Sequence, residues 1–564
     1  MSGAGYDVLA VALVVLGTVG FGIYGLRLAR TTSDFLVASR SVSPLWNASA
    51  IGGEYLSAAS FLGVAGLVMT FGADALWYPV GFVAGYVVLL LFVAAPLRRS
   101  GAYTLPDFAE ARLGSRALRR LASGLVVAIG WLYVLPQLQG AGITLRAATG
   151  APLWVGAVVV TVVVTASVTG GGMRSATFVQ AFQFWLKLAA LAVPAIFLVL
   201  AWRGDGAPAV GGPATPVFRA ETSVHLDRAV DVDVAAPLAV RVDGRPTTLP
   251  VGVNTLARNS TVVFPAGTVV PHEHGQPAAT GDAWQQPLSG AGGRKHPLYT
   301  TYALVLATFL GTMGLPHVLV RFYTNPDGGS ARRTTLVVLA LLGAFYLLPT
   351  VYGALGRIYT PDLLVTGQTD TVVLALPTAV IGGVAGQLLE ALLVAGAFAA
   401  FLSTSSGLLV SIAGVLSQDV LSGSVRDFRR SALVAGVVPL LLALPSSDLP
   451  VGVTVGLAFA FAASTFCPLL VLGIWWRRLT PAGAAAGLVV GGGLAATAIL
   501  ATVLGLATGG WTGALLGQPA IWTVPTAFAV MVVVSLLTPK QVPSDVGRTM
   551  LALHAPESLG LRAP

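Results

Sequence analysis

The sequence predicts an all-α polytopic membrane protein of thirteen transmembrane helices, ten of them in a five-plus-five inverted repeat split by a β-rich extracellular insert. Three observations predict it. Hydrophobic residues make up 55% of the 564 residues and charged ones 10%, where a soluble domain carries about 25% charged; mean hydropathy is +0.81. Apolar windows of spanning length recur along the chain. Two blocks, 45–202 and 299–478, each hold five of these windows. Five is odd, so the second block starts from the opposite side of the bilayer, which is the arithmetic of an inverted repeat.

The windows lie near 7–27, 45–70, 76–97, 119–147, 152–169, 176–202, 299–322, 334–357, 384–415, 431–447, 451–476, 482–508 and 519–538, each close to the ~20 residues a spanning helix needs. They divide the chain into an extra N-terminal helix and linker (1–44), repeat one (45–202), the insert (203–298), repeat two (299–478), two C-terminal helices (479–538) and a tail (539–564). No basic residue precedes the first window, and Arg27 and Arg30 end it. That is the reverse of a cleaved signal, so the expectation is a retained helix with its N-terminus outside and the C-terminus in the cytoplasm. Basic residues agree with this sidedness. Arg98, Arg99, Arg119, Arg321, Arg332 and Arg477 are among many in the segments assigned inside, whereas the short outside loops hold only Arg146 and Arg357.

Within the insert, "AVDVDV", "LAVRVDGRPTTL" and "STVVFPAGTVV" are alternating or β-branched runs punctuated by Gly and Pro, the pattern of short strands. His272 and His274 in "PHEHG" are two potential ligands where a zinc site takes four, so this is read as a solvated turn. The net charge of +9 is carried at the ends of apolar segments and does not indicate nucleic acid. The single cysteine, Cys467, permits no intrachain disulfide. There is no GxxxxGK[ST] loop, so nothing supports ATP-driven transport.

The first helix of each repeat carries a break signal, "AIGGEYLSAAS" (50–60) and "FLGTMGLPH" (309–317). Mid-membrane Gly and Pro interrupt a helix and free backbone groups, although small residues also serve close packing. The stretch "AAFLSTSSGLL" (399–409) puts hydroxyls into an otherwise apolar run. On a helix, Ala400, Ser403 and Thr404 share a face. If the break near Gly53 presents the carbonyls of Gly53 and Leu56 opposite them, five oxygens converge, and a neutral oxygen cage suits Na⁺. The competing reading is that the hydroxyls bond back to their own helix.

"GGEYLSAASFLG" (52–63), "GGGMRSATFVQ" (170–180), "GTMGLPHVLVRFYT" (311–324) and "FAAFLSTSSGLLVSIAGVLSQDV" (398–420) resemble the bacterial sodium–solute symporter family, closest to its cation/acetate, or monocarboxylate, branch. The resemblance covers about residues 30–480 outside the insert. It implies a repeat of the leucine-transporter type, secondary active symport, and a sodium site on the Gly53, Leu56 and Ala400 carbonyls and the Ser403 and Thr404 hydroxyls. Many members carry an aspartate where this chain has Thr177, so proton coupling stays open beside sodium. No covalent chemistry and no cofactor beyond the coupling Na⁺ or H⁺ is implied.

Ionisable groups inside a membrane are functional by default. Glu54, beside the first break, is read as a proton carrier or a structural pair. Lys187 is read as pairing with an acid or lining a cavity, as part of the same charge relay. A small carboxylate needs donors and the positive ends of half-helices. The candidates are Tyr55, Ser57, Ser60, Tyr133, Gln137, Gln139, Thr312 and His317, each with a structural role open to it. The expected protein is a bacterial inner-membrane importer of acetate, propionate, pyruvate or a similar acid, whose partners are that solute, its cation and the lipid bilayer. Its rivals are a relative for another solute such as proline or a sugar, a membrane sensor, and a passive anion channel.

Overall fold

The computed structural model describes residues 3–26, 38, 41–57, 60–211, 216–274, 281–288, 296–421, 423–443, 451–506, 510–556 and 559. Arg27, Arg30 and Arg40 lie outside the described residues. The chain is mostly helical. Helix α1 is Gly3–Leu26. The first predicted break separates α2 (Pro44–Tyr55) from α3 (Leu62–Phe71), and α4 (Trp77–Val88) follows. A short α5 (Leu105–Leu113) leads into α6 (Arg116–Thr149) and α7 (Leu153–Gly204). After the insert come α8 (Pro297–Gly314), α9 (Pro316–Val320), α10 (Gly328–Tyr359), α11 (Gly383–Val415), α12 (Val425–Ala443), α13 (Val451–Trp475), α14 (Pro481–Val503) and α15 (Ala520–Leu537).

Among the described residues, ten helices are long and apolar enough to cross a membrane. Three local features account for the difference from thirteen windows. The 45–70 window is two half-helices, each shorter than a bilayer. The windows 152–169 and 176–202 are two helices that abut without a loop at Gly172, whose φ of 55° and ψ of −148° are non-helical and suit a residue without a Cβ, so they fall within the single stretch named α7. Helix α12 opens on Arg426, Asp427, Arg429 and Arg430, which lower its hydropathy.

Helix boundaries follow local chemistry. Thr104 Oγ1 accepts from the Asp107 amide at 3.2 Å and Ser115 Oγ from that of Leu118 at 3.2 Å, capping α5 and α6. Both helices end on left-handed glycines, Gly114 and Gly150. The core gathers around α11, buried continuously from Ala391 to Val415 apart from Leu392, which packs along α7 and α6. Helix α2 packs on α7 and α10, and α8 on α13 and α4.

Between the repeats, seven short strands form two antiparallel sheets. They are β1 (Thr222–His225), β2 (Val230–Val234), β3 (Leu238–Val242), β4 (Arg245–Leu249), β5 (Gly252–Leu256), β6 (Thr261–Phe264) and β7 (His272–Glu273). The sheet orders are β1-β6-β3-β4 and β5-β2-β7. Their inward faces bury Val224, Val232, Val262 and Phe264, with Phe218 stacked on Phe264 at 4.8 Å. Val365, in the short Asp362–Thr366 helix, completes this core, and Arg228 ties the strands to the same helix by pairing with Glu273 at 2.7 Å and donating to the Thr366 carbonyl at 3.2 Å. His274 Nδ1 lies 3.0 Å and His272 Nε2 3.6 Å from the Asp233 carboxylate.

Candidate functional site

The first break falls a few residues later than the glycines suggest. Helix α2 continues through Gly53 to Tyr55, and Leu56 leaves it at φ −75°, ψ 78°. In an unbroken helix the Ser57 amide would bond the Gly53 carbonyl. Here it donates to Tyr55 O at 2.8 Å, and the Ser60 amide donates to Ser57 O at 2.9 Å. The Gly53 and Leu56 carbonyls are thereby released from the helix ladder. Gly53 is where it is because a Cβ there would lie 2.3 Å from the Gln180 carbonyl oxygen of α7. In the second break, Leu315 is extended (φ −75°, ψ 112°) between α8 and α9, and Pro316 has no N–H to offer the turn before it.

The released carbonyls face Lys187. Its Nζ donates to Gly53 O at 2.5 Å, Leu56 O at 2.6 Å and Ser403 Oγ at 3.1 Å. The side chain is fully buried. Ser403 Oγ in turn donates toward Gly53 O (2.5 Å) and Ala400 O (3.0 Å). The expected oxygens of Gly53, Leu56 and Ser403 do converge, with Ala400 O bonded to Ser403, and the group among them is the Lys187 side-chain nitrogen. Thr404 departs from the expected arrangement, because its hydroxyl donates to the Glu54 carbonyl at 2.7 Å. Lys187 also departs from expectation: it neither pairs with an acid nor lines an open cavity, but sits on main-chain oxygens and a hydroxyl.

Glu54 has a different cation. Arg321 Nε lies 2.7 Å from Glu54 Oε2, with both side chains at most 1% exposed. The same guanidinium donates to Thr177 Oγ1 at 2.8 Å and to Gln180 Oε1. Gln180 Nε2 donates to the Ser403 carbonyl at 2.8 Å, joining this network to the cage. Asn47 Nδ2 holds the Arg321 carbonyl at 3.1 Å. The sequence reading placed Arg321 in an inside loop. It is instead a core residue, five positions beyond the Pro316 break, and the network's second anchor.

Beside these charges lies an aromatic cluster. The Tyr55 ring meets Tyr86 (4.9 Å), Phe82 (5.9 Å) and Phe459 (6.2 Å) edge-on, and its hydroxyl bonds Thr312 Oγ1 at 2.8 Å. Tyr133 packs on His317 at 5.3 Å and on Phe459 at 5.8 Å. Ser57 and Ser60 approach each other at 3.4 Å within the break. Several buried polar atoms here have no hydrogen-bond partner among the described residues: both amide atoms of Gln137, both ring nitrogens of His317, Ser405 Oγ, Tyr86 Oη and Glu54 Oε1. Buried polar groups are nearly always partnered, so these atoms are available to a polar ligand or to water. Gly140 of α6 abuts Phe401 and Gly130 abuts Ile412, which sets Gln137 level with Thr404 and Ser405. Gln139 is set apart. Two residues along a helix is a turn of about 200°, and Gln139 is only partly buried while Gln137 is fully buried.

The centre is enclosed at both ends. Toward the end bearing the basic loops, a cavity of about 10 Å³ lies among Val126, Met173, Pro316, Ser411 and Gly414. Beyond it Arg119 holds Asp419 (2.5 Å), Glu110 (2.7 Å) and Asp107 (2.9 Å) together, joining α5, α6 and the end of α11. At the opposite end a cavity of about 20 Å³ lies among Leu62, Gly140, Thr144 and Asp370. There Trp284 donates to Val68 O at 2.8 Å, and the Arg357 guanidinium stacks on its ring at 5.1 Å.

Two broken helices meet at a buried polar centre, an arrangement that recurs in membrane transporters built from inverted repeats. The same fold occurs in a Na⁺-coupled sialic acid symporter in its substrate-bound outward-open state (TM-score 0.62, 14% identical, covering 94% of this chain and 98% of that one). It occurs again in Mhp1, a nucleobase-cation-symport-1 family transporter, in a closed conformation with bromovinylhydantoin bound (TM-score 0.53, 13% identical, 92% and 98%). Residues 35–209 and 277–491 match the sodium:solute symporter family, and the chain belongs to that family. The unmatched stretch between them contains the strands. Relatives include the monocarboxylic acid transporter of Corynebacterium glutamicum (28% identical, covering 93% of this chain and 91% of that one). Uncharacterized symporters of Cupriavidus necator (29%; 96% and 92%) and Bacillus subtilis (28%; 85% and 83%) are also similar.

Proposed function

We propose that the chain is a secondary active symporter that imports a short-chain monocarboxylate of the acetate, propionate or pyruvate type together with Na⁺ or H⁺ across a bacterial cytoplasmic membrane. In this reading thirteen helices span the bilayer, the N-terminus and the strand-forming insert are outside, and the C-terminus is cytoplasmic. The observation that carries the solute class is the charge of the buried centre. Glu54, Lys187 and Arg321 lie around the two breaks, one formal negative charge against two positive. An uncompensated charge in a low-dielectric interior is costly, and one carboxylate balances it. The unpartnered Gln137 amide and Ser405 hydroxyl supply donors of the kind a carboxylate accepts from. The name of the Corynebacterium relative points to the same solute class.

The test is uptake of labelled acetate into proteoliposomes that hold only this protein, with a sodium gradient, a pH gradient and an equal-osmolarity potassium control. Uphill accumulation under one of the two gradients, competed by propionate and pyruvate and not by proline or glucose, is the expected result. Uptake that never exceeds equilibrium would make the protein a passive pathway, and competition by proline or sugar alone would reassign the solute.

A further inference from the structure

The cage has the composition of a sodium site, yet three of its oxygens are engaged by a side chain of the same protein. Ser403 spends its one proton on Gly53 O or Ala400 O, so toward Lys187 it acts as an acceptor. The Gly53 and Leu56 carbonyls are acceptors as well. Three oxygens around one nitrogen match the three N–H bonds of an ammonium, whereas a neutral amine, with two, would need the Ser403 proton turned toward Nζ and away from Gly53 O and Ala400 O. The Nζ therefore stands in the cage as a cation whose donors are all satisfied. Its charge is not cancelled by the nearest carboxylate, since Glu54 is committed to Arg321 at 2.7 Å. A sodium ion needs the same oxygens and would share the cage with a like charge, so the residues present do not fit sodium.

The tether also makes the connections a bound ion would make. Lys187 stands on α7, Gly53 and Leu56 at the break after α2, and Ser403 on α11. One ammonium thus links a long helix of repeat one, the broken helix of repeat one and a helix of repeat two. We infer that Lys187 is a built-in cation: its ammonium replaces a sodium ion in the Gly53–Leu56–Ser403 cage, and the chain binds no sodium there. The inference rests on the reading of this cage as the coupling-ion site of a symporter, and it narrows that reading by removing the cage as a place for sodium.

The experiment is equilibrium binding of ²²Na⁺ to the purified full-length chain in nanodiscs, without any solute, comparing wild type with Lys187→Ala, Lys187→Gln, Ser403→Ala and Lys187→Ala/Ser403→Ala. Wild type is expected to show no saturable binding. Lys187→Ala, confirmed as folded by gel filtration, is expected to gain about one site per chain, lost again in the double variant. Saturable binding in wild type that Ser403→Ala removes would overturn the inference, as would a folded Lys187→Ala that binds none. Should both Lys187 variants fail to fold, the wild-type arm decides through its thermal midpoint. No change on exchanging potassium for sodium is expected, and a sodium-specific rise abolished by Ser403→Ala overturns the inference. No solute enters this measurement, so an error in the proposed solute leaves its outcome untouched, and failure of the inference leaves the solute reading standing.

Discussion

Removing the Arg321 guanidinium should be the most damaging single change in the centre. At 2.7 Å from Glu54, and with an effective dielectric of about 20, the attraction is about 6 kcal/mol. Most of that offsets desolvation of the two charges. The cost of the substitution is therefore set by what is left behind: a buried carboxylate without its cation, and the Thr177 hydroxyl and the Gln180 side-chain amide oxygen without their donor. Breaking one side of a buried pair costs roughly 3–5 kcal/mol. The measurement is reversible unfolding in SDS of Arg321→Met, Glu54→Gln and the double variant. Arg321→Met should lose about 3–5 kcal/mol, and the double variant should lose no more than Arg321→Met alone, so that the coupling is at least as large as the loss in Glu54→Gln. Losses that simply add would show that the two groups do not act as a pair and would refute the reasoning.

Other outcomes follow from the same geometry. Gly407→Ala would put a Cβ 2.0 Å from Glu54 Cδ and should cost about 1–3 kcal/mol in the SDS titration; the loss should shrink in a Glu54→Ala background, and an unchanged loss would point to a different clash. Arg119→Gln removes the cation that gathers Asp107, Glu110 and Asp419. A reporter Ser411→Cys, in the cavity behind that cluster and with Cys467→Ala, should then react faster with maleimide; equal rates would mean the cluster does not hold that end closed. Gln137→Ala should raise the half-saturating acetate concentration about 10-fold or more, the worth of one hydrogen bond to a charged group, while Gln139→Ala should not; equal effects would remove Gln137 from the site.

The oxygens of the cage were legible because their signals are local. Ala400 and Ser403 lie at helical spacing, and glycines flag the break that frees two carbonyls; Thr404 shares that spacing but bonds the Glu54 carbonyl instead. The partner of Lys187 was not legible, since a released main-chain carbonyl more than 130 positions away carries no side-chain signature. Arg321 was counted with the inside basic residues because it closes the 299–322 window just before the loop that leads to Arg332 and Arg333; its position five residues past Pro316 was the available hint of a core role. Gln137 and Gln139 were grouped by proximity in the chain, although two residues on a helix point apart. Tyr86, Tyr346 and Phe459 gave no signal, because aromatic residues are common in membrane helices that only pack, and Ser405 was visible only as one hydroxyl of the 399–409 run. Counting windows also cannot place a break or show a joint without a loop: the first break falls at Leu56, past the glycines that signal it, and the windows 152–169 and 176–202 abut at Gly172.

The central claim is that a centre with one carboxylate and two cations takes a monocarboxylate. Counterflow tests it most directly, with proteoliposomes loaded with unlabelled acetate, labelled acetate outside and no ion gradient. Acetamide and propionamide match acetate and propionate in size and lack only the charge. Inhibition of counterflow by the acids and not by the amides is the predicted result. Equal inhibition by acid and amide would show that the centre does not select a charge, and the account would fail.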